Sequence, residues 1–189
     1  MAANTDIYWQ GPTGAIKKFR HIGNGYHAET QAVLDPDEVA FYAGREFRTF
    51  QEFSIAQGAS KVIKVVSTTD TIVYEFSIRV TAESAKLELV TGGTEGGSFS
   101  TALPVFNCNT MSVTPVVTTG ISLDSGGTHT GGTVVDIIFS DAGQGSGAKA
   151  EGFTQDYPTG FAAGTFYIRI TNTGNNTTTG VFRARWEER

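Results

Sequence analysis

The chain has 189 residues, 39% of them hydrophobic and 17% charged, with a formal net charge of −5. That length suits one sandwich-sized domain plus an arm, with apolar mass enough for a core and a charged share below the usual 25% or so. The charge and the lack of any long basic run exclude a phosphate-tracking surface, and no apolar run reaches the ~18 residues of a membrane-crossing helix, so neither nucleic acid nor a membrane is an expected partner.

Residues 1–44 are read as an N-terminal arm. Ala15 to Ile22 and Tyr26 to Leu34 pattern as strands around Gly23-Asn24-Gly25, a hairpin turn because Asn and Gly tolerate positive φ. Asp35-Pro36-Asp37-Glu38 carries N-cap, first-turn proline and capping-box signals, and Gly44 suits a helix end, which predicts one short helix. The run Lys17-Lys18-Phe19-Arg20 is the most basic stretch and reads as a solvated strand face.

From Arg45 onward the pattern is strands. Lys61 to Ser67 and Thr71 to Thr81 flank Thr68-Thr69-Asp70 and read as a hairpin. In the second, Ile72, Tyr74, Phe76, Ile78 and Val80 alternate with Val73, Glu75, Ser77, Arg79 and Thr81, the period of a half-buried strand. Ala85 to Thr91 turns Leu87 and Leu89 inward, and Gly92 to Gly97 breaks the chain. Ser112 to Thr119 and Thr133 to Ser140 are further β-branched runs, and the Gly-rich Asp141 to Gly152 reads as a long loop. Thr165 to Thr171 and Gly180 to Glu187 close the chain as a hairpin through the polar loop Asn172 to Thr179. Many short strands with Gly-rich turns predict an all-β, antiparallel sandwich of jelly-roll type over residues 45–189.

The order of features over the last three quarters of the chain resembles small tailed-bacteriophage virion proteins of the head decoration type, the cement and head-fibre proteins. The residues that carry the likeness are Phe47-Arg48-Thr49-Phe50, Leu87-Glu88-Leu89-Val90-Thr91-Gly92-Gly93-Thr94, Pro104-Val105-Phe106-Asn107-Cys108-Asn109, the Gly-rich middle loop, and the terminal Ala163 to Asn172 and Phe182 to Glu188. The resemblance implies a β-sandwich that coats a phage shell, with the major capsid protein and further copies of itself, as a trimer, for partners. It would be made in the host cytoplasm, where the start Met1 to Asp6 shows no secretory signal, and end on the capsid surface. A tail-associated receptor- or carbohydrate-binding module is the alternative, since the same sandwich can present aromatic loops to sugars.

No enzyme signature competes. Asp141 to Lys149 lacks the Gly-Lys-Ser/Thr ending of a phosphate loop, and neither a nucleophile elbow nor a Cys/His pair for catalysis is present. His21 and His27 flank the first turn without a third ligand, so no metal, cofactor or catalytic residue is assigned. Asp124, Asp136 and Asp141 read as turn formers, and Asn175-Asn176-Thr177-Thr178 as a polar loop tip. The lone Cys108 can form no intrachain disulfide and reads as a small buried apolar group. The interface candidates are aromatic: Tyr8, Trp9, Phe19 and Tyr26 in the arm, and Phe41 and Tyr42 in the dense set with Phe47, Phe50 and Phe53, where core packing is the competing assignment.

Overall fold

The computed structural model describes residues 7–10, 16–23, 26–30, 40–41, 43–109, 119–142 and 151–189, with 7–30 and 151–158 as strand backbone. Its strands are β1 (Ile7–Gln10), β2 (Ile16–Gly23), β3 (Tyr26–Thr30), β4 (Glu46–Ile55), β5 (Ser60–Ser67), β6 (Thr71–Ala82), β7 (Ser84–Thr91) and β8 (Thr94–Gly96). They continue with β9 (Thr101–Ala102), β10 (Val105–Asn107), β11 (Ile121–Ser125), β12 (Thr128–Thr130), β13 (Thr133–Asp141), β14 (Glu151–Phe161), β15 (Gly164–Asn172) and β16 (Thr178–Glu188). The strands β1-β2-β3 form a small antiparallel sheet of their own, which includes the predicted hairpin.

The pairing of the rest has one logic. Strands β4, β5, β6 and β7 pair antiparallel with β16, β15, β14 and β13 in turn. The chain is therefore a long ribbon doubled back on itself. It is wound so that β16 also pairs with β6 and β15 also pairs with β7. The result is a five-stranded sheet, β10-β4-β16-β6-β14, facing a six-stranded one, β13-β7-β15-β5-β11-β9. Eight antiparallel strands wound in this way are a jelly roll. The insertion between β7 and β13 supplies the extra strands β9, β10 and β11, of which β9 and β10 are edges, and a two-stranded ribbon, β8 with β12.

The core lies between the sheets. One side gives Phe47, Phe53, Phe76, Ile78, Phe182 and Trp186, and the other gives Ile63, Leu87, Leu123, Ile138, Ile168 and Ile170. Phe182 is fully buried and meets Phe76 edge-on at 5.7 Å between ring centres. Alternation places these residues: in β16, Phe182, Ala184 and Trp186 point in while Arg183 and Arg185 point out.

The two later predicted hairpins, at Thr68-Thr69-Asp70 and at Asn172 to Thr179, are instead arches. β5 and β6 lie in opposite sheets, as do β15 and β16. A hairpin and an arch carry the same alternating pattern, so only the corner distinguishes them. At the first corner the Ser67 hydroxyl donates to the Thr69 carbonyl and the Thr68 N–H donates to the Gly120 carbonyl. At the second, Asn172 Nδ2 donates to the Ile55 and Asn176 carbonyls, and Glu83 accepts from the Asn175 N–H and from Asn176 Nδ2. The polar loop Asn172 to Thr179 is thus a tied corner.

The single alternation expected along β6 is also corrected. The register with β16 slips between Arg185/Glu75 and Trp186/Val73, which leaves Tyr74 as an extra residue. Beyond this bulge Thr71 is buried and Val73 packs on the core, while the Tyr74 hydroxyl donates to Glu187 Oε2 at 2.6 Å. Ala40 and Phe41 are helical, with Gly44 N–H donating to the Phe41 carbonyl and Arg45 N–H to the Ala40 carbonyl. With Gly44 at φ +70°, these two bonds have the pattern of a Schellman helix end. The predicted helix before Ala40, the predicted strand Ser112 to Thr119 up to residue 118, and most of the predicted loop Asp141 to Gly152 lie outside the described residues; Thr119 itself is not strand. Asp141, Glu151 and Gly152 are strand.

Candidate functional site

The outer face of the five-stranded sheet carries a groove of about 720 Å³. Its floor is set by register. One row across the strands reads Phe106, Arg48, Arg185, Glu75, and the next reads Phe50, Arg183, Ser77. Phe41, at the helix end, and Cys108 line it too. Burial pushes the Cys108 thiol above its ordinary range, and the nearby Glu46 carboxylate adds to this. The thiol is therefore a poor nucleophile there.

Phe50 and Phe106 are 49% and 41% exposed, and their rings stack 5.8 Å apart at 9°. Rings of this size left in water are unusual away from contact surfaces. Arg185 pairs with Glu46, a buried carboxylate, and sits 5.8 Å from the Tyr74 ring. Arg48 and Arg183 are exposed, and neither has an ion pair among the described residues.

A second patch lies on β13, an edge strand of the six-stranded sheet. Val134, Val135, Ile137 and Phe139 are all exposed, Phe139 by 53%. The bulge between Val134 and Asp136 leaves Val135, Ile137 and Phe139 on the outward parity while Ile138 enters the core. An apolar stripe on an edge strand invites a neighbouring chain. Next to it Glu88, on β7, is buried between Lys86 at 3.0 Å and Arg169 at 2.9 Å. Burial raises the Glu88 carboxyl, but the hydrogen bonds and charges of Lys86 and Arg169 outweigh this and hold it below the usual carboxylate range.

The remaining polar cluster is closed. His129, on β12, is 5% exposed and stacks on Tyr167 of β15 at 3.9 Å between ring centres. Its Nε2 donates to the Gly92 carbonyl at 2.7 Å, which leaves Nδ1 buried without a partner. The Tyr167 hydroxyl donates to Glu95, which also meets Lys64 at 2.7 Å. Burial and the Glu95 carboxylate push the Tyr167 phenol up to about 12. This buried histidine fastens the β8–β12 ribbon onto the sheet.

The sequence-predicted interface residues divide. Phe41 lines the groove, and Phe50 of the same aromatic set is its exposed floor, while Phe47 and Phe53 are core. Tyr8 lies on β1, Phe19 and Tyr26 on β2 and β3, and Trp9 stands in register with Lys17. Tyr42 lies outside the described residues. His21 and His27 are register partners across the hairpin, and no group of three metal-ligating side chains occurs among the described residues. Asp124, Asp136 and Asp141 are strand residues rather than turn formers, Asp136 bonding the Ile137 N–H at its bulge. Sequence reasoning missed the β13 stripe because Val134 to Phe139 reads as an ordinary core strand. The signal was that five of the six residues Val134 to Phe139 are β-branched or aromatic, too many for a strand with one solvated face.

Comparison with protein families, with curated proteins and with solved structures finds no match.

Proposed function

We propose that the chain is a structural virion protein of a tailed phage that decorates and stabilises the outer surface of the capsid, as a homotrimer on the major capsid protein, without catalysis. The observation that carries this reading is the exposed apolar stripe on the β13 edge of a jelly roll. Jelly rolls serve capsid and lectin domains alike, so the winding alone does not select a role. The stripe supports assembly as the role. Its place at one lateral edge suits a heterologous contact, and such contacts close rings when the rotation permits. In the trimer it is covered by the next copy, and the ordering of features along the chain supports the shell as the surface beneath.

Antibody against the full chain, imaged on the particles that contain it, tests the reading. Label over the heads supports it. Label confined to tails replaces it with the receptor-binding alternative, and absence of label removes it. Light scattering of the purified chain tests the stripe: a trimer that an Ile137→Asp, Phe139→Asp double variant converts to a folded monomer is the expected result.

A further inference from the structure

We infer that the groove on the five-stranded sheet is a binding site for an extended, acidic polypeptide segment with carboxylates at alternate positions and an apolar side chain two residues beyond. The β13 stripe is on the other sheet, so the two surfaces do not compete.

The geometry defines the ligand. Arg48 stands in register with Arg185, and Arg183 with Phe50, so Arg48 and Arg183 are diagonal neighbours on adjacent strands. Diagonal neighbours on a sheet lie roughly 7–8 Å apart. In an extended chain, side chains two residues apart lie on one side at about 6.6 Å. Two alternate carboxylates therefore match the two guanidinium groups. These are the cations of the groove that have no acidic partner among the described residues, whereas Arg185 already has Glu46. The planar guanidinium fork donates two parallel hydrogen bonds to a carboxylate. Continued along that diagonal, the next residue on the same side of the ligand falls over Cys108 of the groove, beside Phe106 of the Phe50–Phe106 stack, where the lining is apolar. Arginine and aromatic side chains together are the composition of interface hot spots. The groove's sign is also opposite to that of the chain: three arginines and one glutamate line it, against a net charge of −5 overall. If the reading above is correct, and only on that reading, the segment belongs to the major capsid protein.

The test is fluorescence anisotropy of the full chain with a labelled peptide of the pattern Glu-x-Glu-x-Leu, its Gln-for-Glu counterpart, and an oligoglucuronate. Saturable binding of the Glu peptide is expected. It should weaken with salt, and fall by roughly tenfold or more in the Gln peptide and in Arg183→Gln or Arg48→Gln. Both arginines are exposed, so thermal melts of the variants should match the parent and exclude misfolding. Equal binding of the Gln peptide, no saturable binding, or preference for the oligoglucuronate each overturns the proposal, the last in favour of an acidic glycan. Head label without peptide binding removes the groove site and keeps the decoration reading. Peptide binding without head label does the reverse.

Discussion

The two outer faces of the sandwich handle aromatic side chains in opposite ways. On the six-stranded sheet, Tyr167 is roofed by the β8–β12 ribbon, with His129 stacked on it and Phe99 6.3 Å away. On the five-stranded sheet, Phe50 and Phe106 lie open between arginines. The chemistry of the two clusters is alike: rings, a cation, a carboxylate. What separates them is cover. A covered ring contributes to folding, and an uncovered one can gain only from a partner.

The largest test of that contrast is Tyr167→Ala. It removes a buried ring from a satellite core of Val62, Val90 and Phe99 and strips His129 and Glu95 of their contact. Urea unfolding should show a loss of about 3 kcal/mol or more. A loss near zero would mean that the ribbon does not hold this face and that the two faces are alike.

A smaller effect is expected at Gly93. Its φ is +93°, and a Cβ there would meet His129 Nε2 at 2.4 Å and the Thr130 carbonyl at 2.8 Å. Gly93→Ala combines a left-handed backbone with displacement of the stacked histidine, and should cost about 1–3 kcal/mol. Gly131, also at positive φ, has open space around its Cβ position. The matched Gly131→Ala should lose only the backbone part, and urea midpoints of the pair separate clash from strain.

The same contrast marks what was legible in the sequence. Alternation in β16 and in the Phe76 to Val80 half of β6 gave the inward residues, and the strand count with Gly-rich turns gave the sandwich. It could not distinguish arch from hairpin at Ser67 to Thr71, because side-chain period is the same in both and the difference rests on long-range bonds such as Thr68 to Gly120. It could not foresee the bulge at Tyr74, which exchanges the faces of Ile72 and Val73. Short strands such as β9 and β10 lack the length for any periodicity. Exposure is the other blind spot. Parity puts Phe50 on the face of β4 that carries Arg48 and Glu52, opposite Phe47 and Phe53, but whether another segment covers that face is a matter of packing alone.

Tyr167→Phe sharpens the covered face at finer scale. Near neutral pH the loss is one hydrogen bond to Glu95, about 1 kcal/mol. The folded phenol is pushed up to about 12 from an ordinary value near 10. Its stabilising contribution is therefore complete below about pH 10 and is lost as pH rises through about 12. Melting temperatures of the parent and variant, taken across that window, should converge. A gap that stays constant would show that the Tyr167 hydroxyl titrates normally and is not held by Glu95.

The smallest effect is expected on the open face. Phe50→Ala removes a ring that is already half in water and stacks only on another exposed ring. The stack is worth at most about 1 kcal/mol and the burial little, so the melt should move by no more than roughly 0.5–1 kcal/mol. The same variant should weaken capture of the Glu-x-Glu-x-Leu peptide while leaving its salt dependence in place, because Arg48 and Arg183 remain. A phenylalanine that matters little to the fold and much to a partner is the behaviour that separates this face from the other. A large stability loss from Phe50→Ala, with peptide binding unchanged, would instead make Phe50 a structural residue and erase the difference between the two faces.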